Sequence, residues 1–370
     1  MKNNMKELSI YIHIPFCEQK CIYCAFVSYC VNNEIKNKYF QNLKKEIQER
    51  KTDREISSIY IGGGTPSCVD AKYIKEILEE IYANYNLKKD IEITIECNPN
   101  SVDEEKLKVY KNIGINRISF GVQSLDNDTL KKLGRLHNKD QVVCAINNAK
   151  KVGFKNISVD LLLGLENQNI QDFEKQLQEL IALDITHISA YMLEVEEGTK
   201  LFSMVENKEI NLPIPEKTIE IYEKTVNFLK KNGFFRYEIS NFSKIGYESK
   251  HNINYWKCNE YLGFGVAAYS YFEGYRFSNS INFNEYENKE NLLYEKIDNR
   301  ERIEELIMLG LRCKFGFDFN EIIKLGYDIF LNDNFKKYLD KNILIKEGNW
   351  IYLNPDYYGV SNSIICDILP

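Results

Sequence analysis

Apolar and polar positions alternate along the first half of the chain in a repeated strand–helix unit. Leu8–Ile14 (LSIYIHI) is β-branched and aromatic and predicts a strand. Helical spacing of apolar residues follows over Glu34–Lys51. Further strands are predicted at Ile56–Ile61, Ile91–Cys97, Ile115–Val122, Ile157–Leu163 and His187–Leu193. Helices at Asp70–Ala83, Val102–Asn112, Asp126–Leu133, Asp140–Val152 and Ile170–Ala182 separate them. Ser101 or Asp103 stands where it can cap the third helix. Six repeats imply an α/β fold of parallel strands with right-handed crossovers, closed as a barrel or left as a doubly wound sheet.

Beyond Thr199 the rhythm breaks. Pro213 and Pro215 precede a helix at Glu216–Lys231, and Phe235–Phe242 predicts a strand. Asn241 to Phe283 is rich in aromatics, glycine and asparagine and predicts mostly loop. Asn284–Asn299 is polar, as a linker would be. Arg300–Pro370 predicts three helices, a hairpin of Ile343–Lys346 and Trp350–Leu353 turning at Glu347–Asn349, and a last helix at Val360–Ile368. That order is winged-helix-like. The expected division is therefore a barrel over residues 1–200, a connecting region over 201–290 and a mainly helical, winged domain over 291–370.

The chain has 370 residues, 44% of them hydrophobic, enough for a large barrel core plus an appendage. Its 48 basic and 54 acidic residues give a net charge of −6, which argues against nucleic acid as a partner and favours a structural or lid role for the winged segment. No apolar run approaches the roughly 18 residues of a membrane span. Met1 to Leu8 is polar and lysine-containing, so no secretory signal is expected. The ten cysteines fall well below disulfide-scaffold density and are expected as reduced thiols in the cytoplasm.

Three of those cysteines are clustered. Cys17, Cys21 and Cys24 form Cys-x3-Cys-x2-Cys directly after the first strand, in IPFCEQKCIYC. Structural zinc takes four protein ligands, usually in paired knuckles, and Cys30, Cys68 and Cys97 are too scattered to form a second one. Three thiolates suit a four-iron, four-sulfur cluster with one iron left open for a small molecule. Phe16, Tyr23 and Phe26 flank the run and can shield a cluster; three incidental buried cysteines would not be expected to share a strand end.

In βα barrels, functional residues sit at the C-terminal ends of the strands. Here the second strand ends in Gly62-Gly63-Gly64-Thr65-Pro66, the third in Glu96-Cys97-Asn98-Pro99 and the fourth in Gly121-Val122-Gln123-Ser124. The fifth carries Asp160, and the sixth ends at Tyr191 and Glu194. Glycines let a ligand approach the backbone, carboxylates accept ribose hydroxyls or an ammonium, and Gln123 gives and accepts. Each feature alone is ordinary, but together they predict a binding site beside the cysteines.

The cysteine run, with Tyr23 before its last member, resembles the signature of the radical S-adenosylmethionine (SAM) superfamily. The resemblance implies an incomplete parallel (β/α)6 barrel. It also implies that SAM binds the open iron and that an electron from the cluster cleaves it to methionine and a 5′-deoxyadenosyl radical. YIHIPFC, GGGTP, ECNP, FGVQS, LGRLH and VDLLLGL, in this order, resemble the coproporphyrinogen dehydrogenase-like branch over nearly the whole chain. That branch implies SAM contacts by Tyr11, Gly63, Gly64, Thr65, Glu96, Gln123, Arg135 and Asp160, with one or two SAM molecules bound. Without the resemblance, Arg135 would be expected as a solvated helix-end charge.

Two departures divide the branch. The dehydrogenase has a further cysteine where this chain has Phe26, and a long extension before its cluster, which here begins at residue 17. Both resemble the HemW-type heme chaperones, which bind heme and pass it to acceptor hemoproteins. His251-Asn252-Ile253-Asn254-Tyr255-Trp256 matches the His-Asn-x-x-Tyr-Trp motif of that family. An exposed-loop His251 is a suitable heme ligand with aromatics beside it, against the alternative that His251 and Trp256 only anchor the loop. Cys258 is a competing ligand, His13 is expected near the cluster loop, and His137 and His187 are expected to be structural. The rival functions are oxygen-independent coproporphyrinogen decarboxylation and another radical reaction such as methyl transfer. The resemblance also suggests a flavodoxin- or ferredoxin-like electron donor. It leaves open whether SAM is turned over and whether the surface touches a membrane peripherally.

Overall fold

The computed structural model describes residues 7–290 and 292–370. Six strands, β1 (Leu8–Ile14), β2 (Glu55–Gly63), β3 (Asn86–Cys97), β4 (Arg117–Gln123), β5 (Asn156–Leu163) and β6 (His187–Met192), lie side by side in chain order. Each is parallel to the next. Their β-branched and leucine-rich runs are buried on both faces, as in parallel sheets covered by helices. Asp103, one of the two candidates, caps the third helix by accepting from the Lys106 N–H at 2.7 Å.

The second half departs from the sequence expectation. The strand expected over Phe235–Phe242 is a hairpin of β7 (Phe235–Arg236) and β8 (Asn241–Ser243), and β8 runs antiparallel to β6. The turn forms because the buried Glu238 carboxyl accepts from the Ser240 N–H at 3.2 Å. The expected loop from Asn241 to Phe283 instead holds the Lys250–Trp256 helix and three strands, β9 (Glu260–Phe264), β10 (Tyr269–Phe272) and β11 (Tyr275–Ser278). Its glycines serve close approach: Gly263 has no side chain where the Tyr269 carbonyl packs against it. The expected linker carries the Phe283–Asn288 helix and β12 (Leu293–Lys296).

β9 pairs parallel with β1, and β10, β11 and β12 follow antiparallel, so the sheet stays open and ends in the order β12-β11-β10-β9-β1-β2-β3-β4-β5-β6-β8-β7. The region expected as a connector, 201–290, thus belongs to the barrel's own core, which runs from Leu8 to Tyr286. Polar stitches hold it there. Tyr286 donates to Glu46 Oε2 at 2.7 Å, Arg50 donates to Asn279 Oδ1 at 2.8 Å, and Arg54 pairs with Glu260.

The C-terminal segment follows the expected order. Helices Asn299–Gly310, Phe319–Lys324 and Asp333–Asp340 precede a hairpin, and Ser361–Ile368 closes the chain. A short β13 (Phe317–Asp318) joins the hairpin strands β14 (Leu344–Glu347) and β15 (Trp350–Leu353) in a three-stranded sheet. This unit has its own core around Phe317, Phe335 and Ile351. Backbone bonds from Ile239 N–H to Arg312 O (3.2 Å) and from Lys314 N–H to Tyr237 O (2.9 Å) fix it over the C-terminal ends of the barrel strands.

Candidate functional site

The chain leaves β1 through Pro15 and Phe16 and loops back on itself: Cys17 N–H donates to Tyr29 O at 3.1 Å, and Tyr29 N–H to Pro15 O at 2.8 Å. His13 braces the loop from behind. Its Nε2 lies 3.0 Å from Val27 O and its Nδ1 2.9 Å from the Tyr11 hydroxyl. Cys17, Cys21 and Cys24 are free, half-buried thiols on the wall of one cavity of about 1290 Å³. Burial pushes the Cys17 and Cys24 thiols up. Among the described residues, no three ligating side chains close on a single ion.

β2 and β3 deliver the next groups. Gly63 has φ +113, and a Cβ there would lie 2.6 Å from the His13 ring; a Cβ on Gly64 would lie 2.6 Å from Phe16 O. Both positions therefore require glycine, and the wall is bare backbone there. Thr65 Oγ1 sits 3.5 Å from Cys17 Sγ and accepts from Asn98 Nδ2 at 3.3 Å. Arg135 is not a solvated charge: its Nη2 donates to Asn98 Oδ1 (2.5 Å) and Gly121 O (2.6 Å), and its Nη1 to Cys21 Sγ (3.4 Å).

A bulge in β4 turns Gln123 into the cavity, with a left-handed backbone at φ +66 that costs a non-glycine residue about 1 kcal/mol. Glu96 accepts from the Tyr60 hydroxyl at 2.7 Å, and burial, with Asp160 nearby, pushes its carboxyl up to about 7. Burial also raises Asp160, against hydrogen bonds from Ser189 and Ser119 and the charge of Arg117.

Gly63, Gly64, Thr65, Glu96, Gln123, Arg135 and Asp160 therefore share the cavity with the cysteines. Tyr11 and His251 stand behind its wall. Tyr11 is held by His13 and stacks on Tyr60 at 6.4 Å. His251 lies on a helix, not an exposed loop, and is 1% exposed. Its Nδ1 is 3.0 Å from Ser58 Oγ, its Nε2 is 3.1 Å from the Tyr255 hydroxyl, and its ring stacks on Tyr60 at 5.1 Å. The turn that carries it is capped by Ser249 and by Glu92, which draws the segment onto the sheet. Burial pushes its imidazole down to about 3, so it is neutral. Asn252, Tyr255 and Trp256 of the same helix do reach the cavity.

Sequence reasoning missed Tyr60, Arg117 and the far wall, where Arg236, Glu238, Arg312 and Tyr358 meet. Arg117 was legible in principle: it is a charge inside the apolar run RISFGV, and it is buried on β4 with an Nε that has no hydrogen-bond partner.

Residues 11–180 match the family model described as the radical SAM superfamily. The chain is 36% identical over 321 residues to the heme chaperone HemW of Bacillus subtilis, covering 83% of this chain and 84% of that one. It is 32% identical over 366 residues to the heme chaperone HemW of Lactococcus lactis, covering 97% and 96%. The chain belongs to the HemW family, within the radical SAM superfamily. Among solved structures, coproporphyrinogen III oxidase (HemN) from Escherichia coli superposes with a TM-score of 0.83 at 20% identity, covering 99% of this chain and 90% of that one. That likeness concerns the fold. The superfamily carries a four-iron, four-sulfur cluster and SAM. Cys17, Cys21 and Cys24 would hold such a cluster, and the chemistry it would supply is an electron to SAM.

The cavity of this HemW family member fits both groups. It presents three thiols on one loop, a bare glycine wall, two half-buried carboxyls and the buried Arg117 guanidinium with an unpartnered Nε. Its volume exceeds the roughly 300–1,000 Å³ of most small-molecule sites, which leaves room beyond the cysteines for a further ligand.

Proposed function

We propose that this protein binds heme and passes it to acceptor hemoproteins, and that it carries a cluster-bound SAM beside the heme compartment. The observation that carries this reading is the likeness to the Lactococcus lactis heme chaperone over nearly the full length of both chains. Phe26 supports it. This residue is 69% exposed and lines the cavity at the position where the dehydrogenase pattern has a cysteine.

In this reading Cys17, Cys21 and Cys24 hold three irons. Gly63, Gly64 and Thr65 offer backbone and hydroxyl to SAM, while Glu96, Asp160 and Gln123 take its cationic and hydroxyl groups. Arg135 holds the Cys21 side of the site in place. A cytoplasmic location and a flavodoxin- or ferredoxin-like electron donor belong to the same reading; among the described residues no helix is long and apolar enough to cross a membrane.

The test is to reconstitute the cluster anaerobically, titrate heme, and then add an apo-hemoprotein. A Soret band that moves to the acceptor is expected, with no consumption of coproporphyrinogen III in a parallel assay. Porphyrinogen conversion without stable heme binding would establish the dehydrogenase reading instead.

A further inference from the structure

The chain has four histidines, and each is buried with at least one ring nitrogen engaged. His13 is held by Tyr11 and Val27. His137 Nε2 lies 3.0 Å from Val122 O. His187 lies between Ser158 Oγ (2.7 Å) and the Tyr237 hydroxyl (2.8 Å), and His251 between Ser58 and Tyr255. All four are at most 5% exposed, and none is on the cavity wall. A heme entering the cavity therefore meets no imidazole.

The other iron-ligating side chains on the wall are cysteine, tyrosine and methionine. Three of the cysteines serve the cluster, and burial pushes Cys97 up to about 12, which keeps it a thiol. Tyr191 is 41% exposed as a whole residue, but desolvation of its phenol, with Asp160 and Glu238 nearby, raises it and disfavours the phenolate that iron prefers. The Tyr60, Tyr222 and Tyr255 hydroxyls are engaged with Glu96, the Ile239 carbonyl and His251, and burial raises the Tyr23 and Tyr358 phenols. Met192 differs from all of these. It is the last residue of β6, it is 37% exposed on the cavity wall, and its thioether needs no deprotonation to bind iron. On the same wall, Arg236 lies over the Tyr358 ring at 4.2 Å, and Arg312 has an Nε without a hydrogen-bond partner. Two guanidinium groups there suit the two carboxylates of a heme.

We propose that Met192 ligates the iron of the heme this protein carries, and that Arg236 and Arg312 receive the heme propionates. The proposal rests on the heme reading above. The test uses the full, cluster-reconstituted chain, with ferrous and ferric heme added and the spin state read by magnetic circular dichroism. M192L should weaken heme binding about tenfold, roughly one 1.4 kcal/mol step, and shift the spin state. It should leave iron content and SAM binding unchanged. M192H should convert the spectrum to an imidazole-ligated type, and H251Q should keep the wild-type spectrum. A wild-type spectrum and affinity in M192L would overturn the assignment while leaving the heme reading intact. Failure of the wild-type protein to take up heme would overturn both.

Discussion

Tyr60 on β2 donates to Glu96 on β3 across 2.7 Å, and His251 stacks against the far side of the same Tyr60 ring. The carboxyl at the cavity wall is therefore fixed by a second wall residue, and that residue is itself braced by the helix after β8.

Burial holds the Glu96 carboxyl up at about 7, well above the unfolded value of about 4.3. A group whose folded pKa is raised contributes stability that is fully present below the unfolded value. That stability is lost as pH rises through the folded value. The buried histidines act oppositely, losing stability below about 6.5, so the clean measurement is a difference. The melting temperature of ligand-free E96Q should gain on wild type between pH 5 and pH 8. A constant offset across that range would contradict the raised carboxyl.

The same titration should appear in binding. SAM is cationic and favours ionised Glu96, so its binding should release a proton below about pH 7. Affinity measured calorimetrically should rise with pH up to about 7 and then level, and E96Q should remove the slope. A wild-type affinity independent of pH would place SAM away from Glu96.

Anaerobic reconstitution should yield about four irons per chain. Alanine at Cys17, Cys21 or Cys24 should abolish the cluster's visible absorbance, whereas alanine at Cys30 or Cys68 should not. Cys68 lies near, with its thiol donating to Phe16 O at 3.4 Å, but burial pushes it up to about 12 and keeps it protonated. Wild-type iron content in all three cluster variants would end the assignment.

Arg135 joins three segments: the cysteine loop, Asn98 after β3 and Gly121 on β4. R135L should lose about 3 kcal/mol of stability, the worth of one or two charge-assisted hydrogen bonds in a buried site. It should also weaken SAM binding at least tenfold. R135K should recover only part, because an ammonium cannot span these partners as the planar fork does. Urea denaturation and SAM titration of both variants decide it; equal behaviour of R135K and wild type would show that charge alone matters.

H251Q should unfold earlier than wild type by about 1–3 kcal/mol, since it disturbs the buried contacts to Ser58 and Tyr255. Because neutral buried His251 gives up its contribution as pH falls below about 6.5, the gap should narrow toward pH 5. A gap that widens on acidification would mean that the imidazole is charged in the folded protein.

The parallel half of the fold was open to sequence reasoning because its signals are long and local. β1 and the Ile170–Ala182 helix stand where the pattern placed them, to the residue. The glycine wall, both carboxyls and the cysteine loop followed from strand ends. What failed was non-local. β7 to β11 are two to five residues long, too short to show a period, and β9 finds its partner in β1 across most of the chain. Whether Tyr11 and His251 face the cavity or its back depends on that pairing and on Tyr60, and a motif carries neither. Arg135 lost its solvated appearance for the same reason, since Asn98 and Gly121 reach it from other strands.

The pairing of Leu8 with Glu260 and Ile12 with Phe264 has a consequence for how the protein is made. The strand that presents the cluster loop is synthesised before the rest of the sheet, and its outer neighbour only after β2 to β8. Until residue 264 has been translated, β1 offers unpaired backbone groups along one side, a template on which nascent chains can associate. A fragment cut after β6 would keep the whole signature region and every cluster cysteine, yet it would carry that bare side permanently. It would also lose the Glu46 and Arg50 anchorages to Tyr286 and Asn279. The strand on which the cluster loop depends is thus covered by a neighbour that lies far along the chain from it.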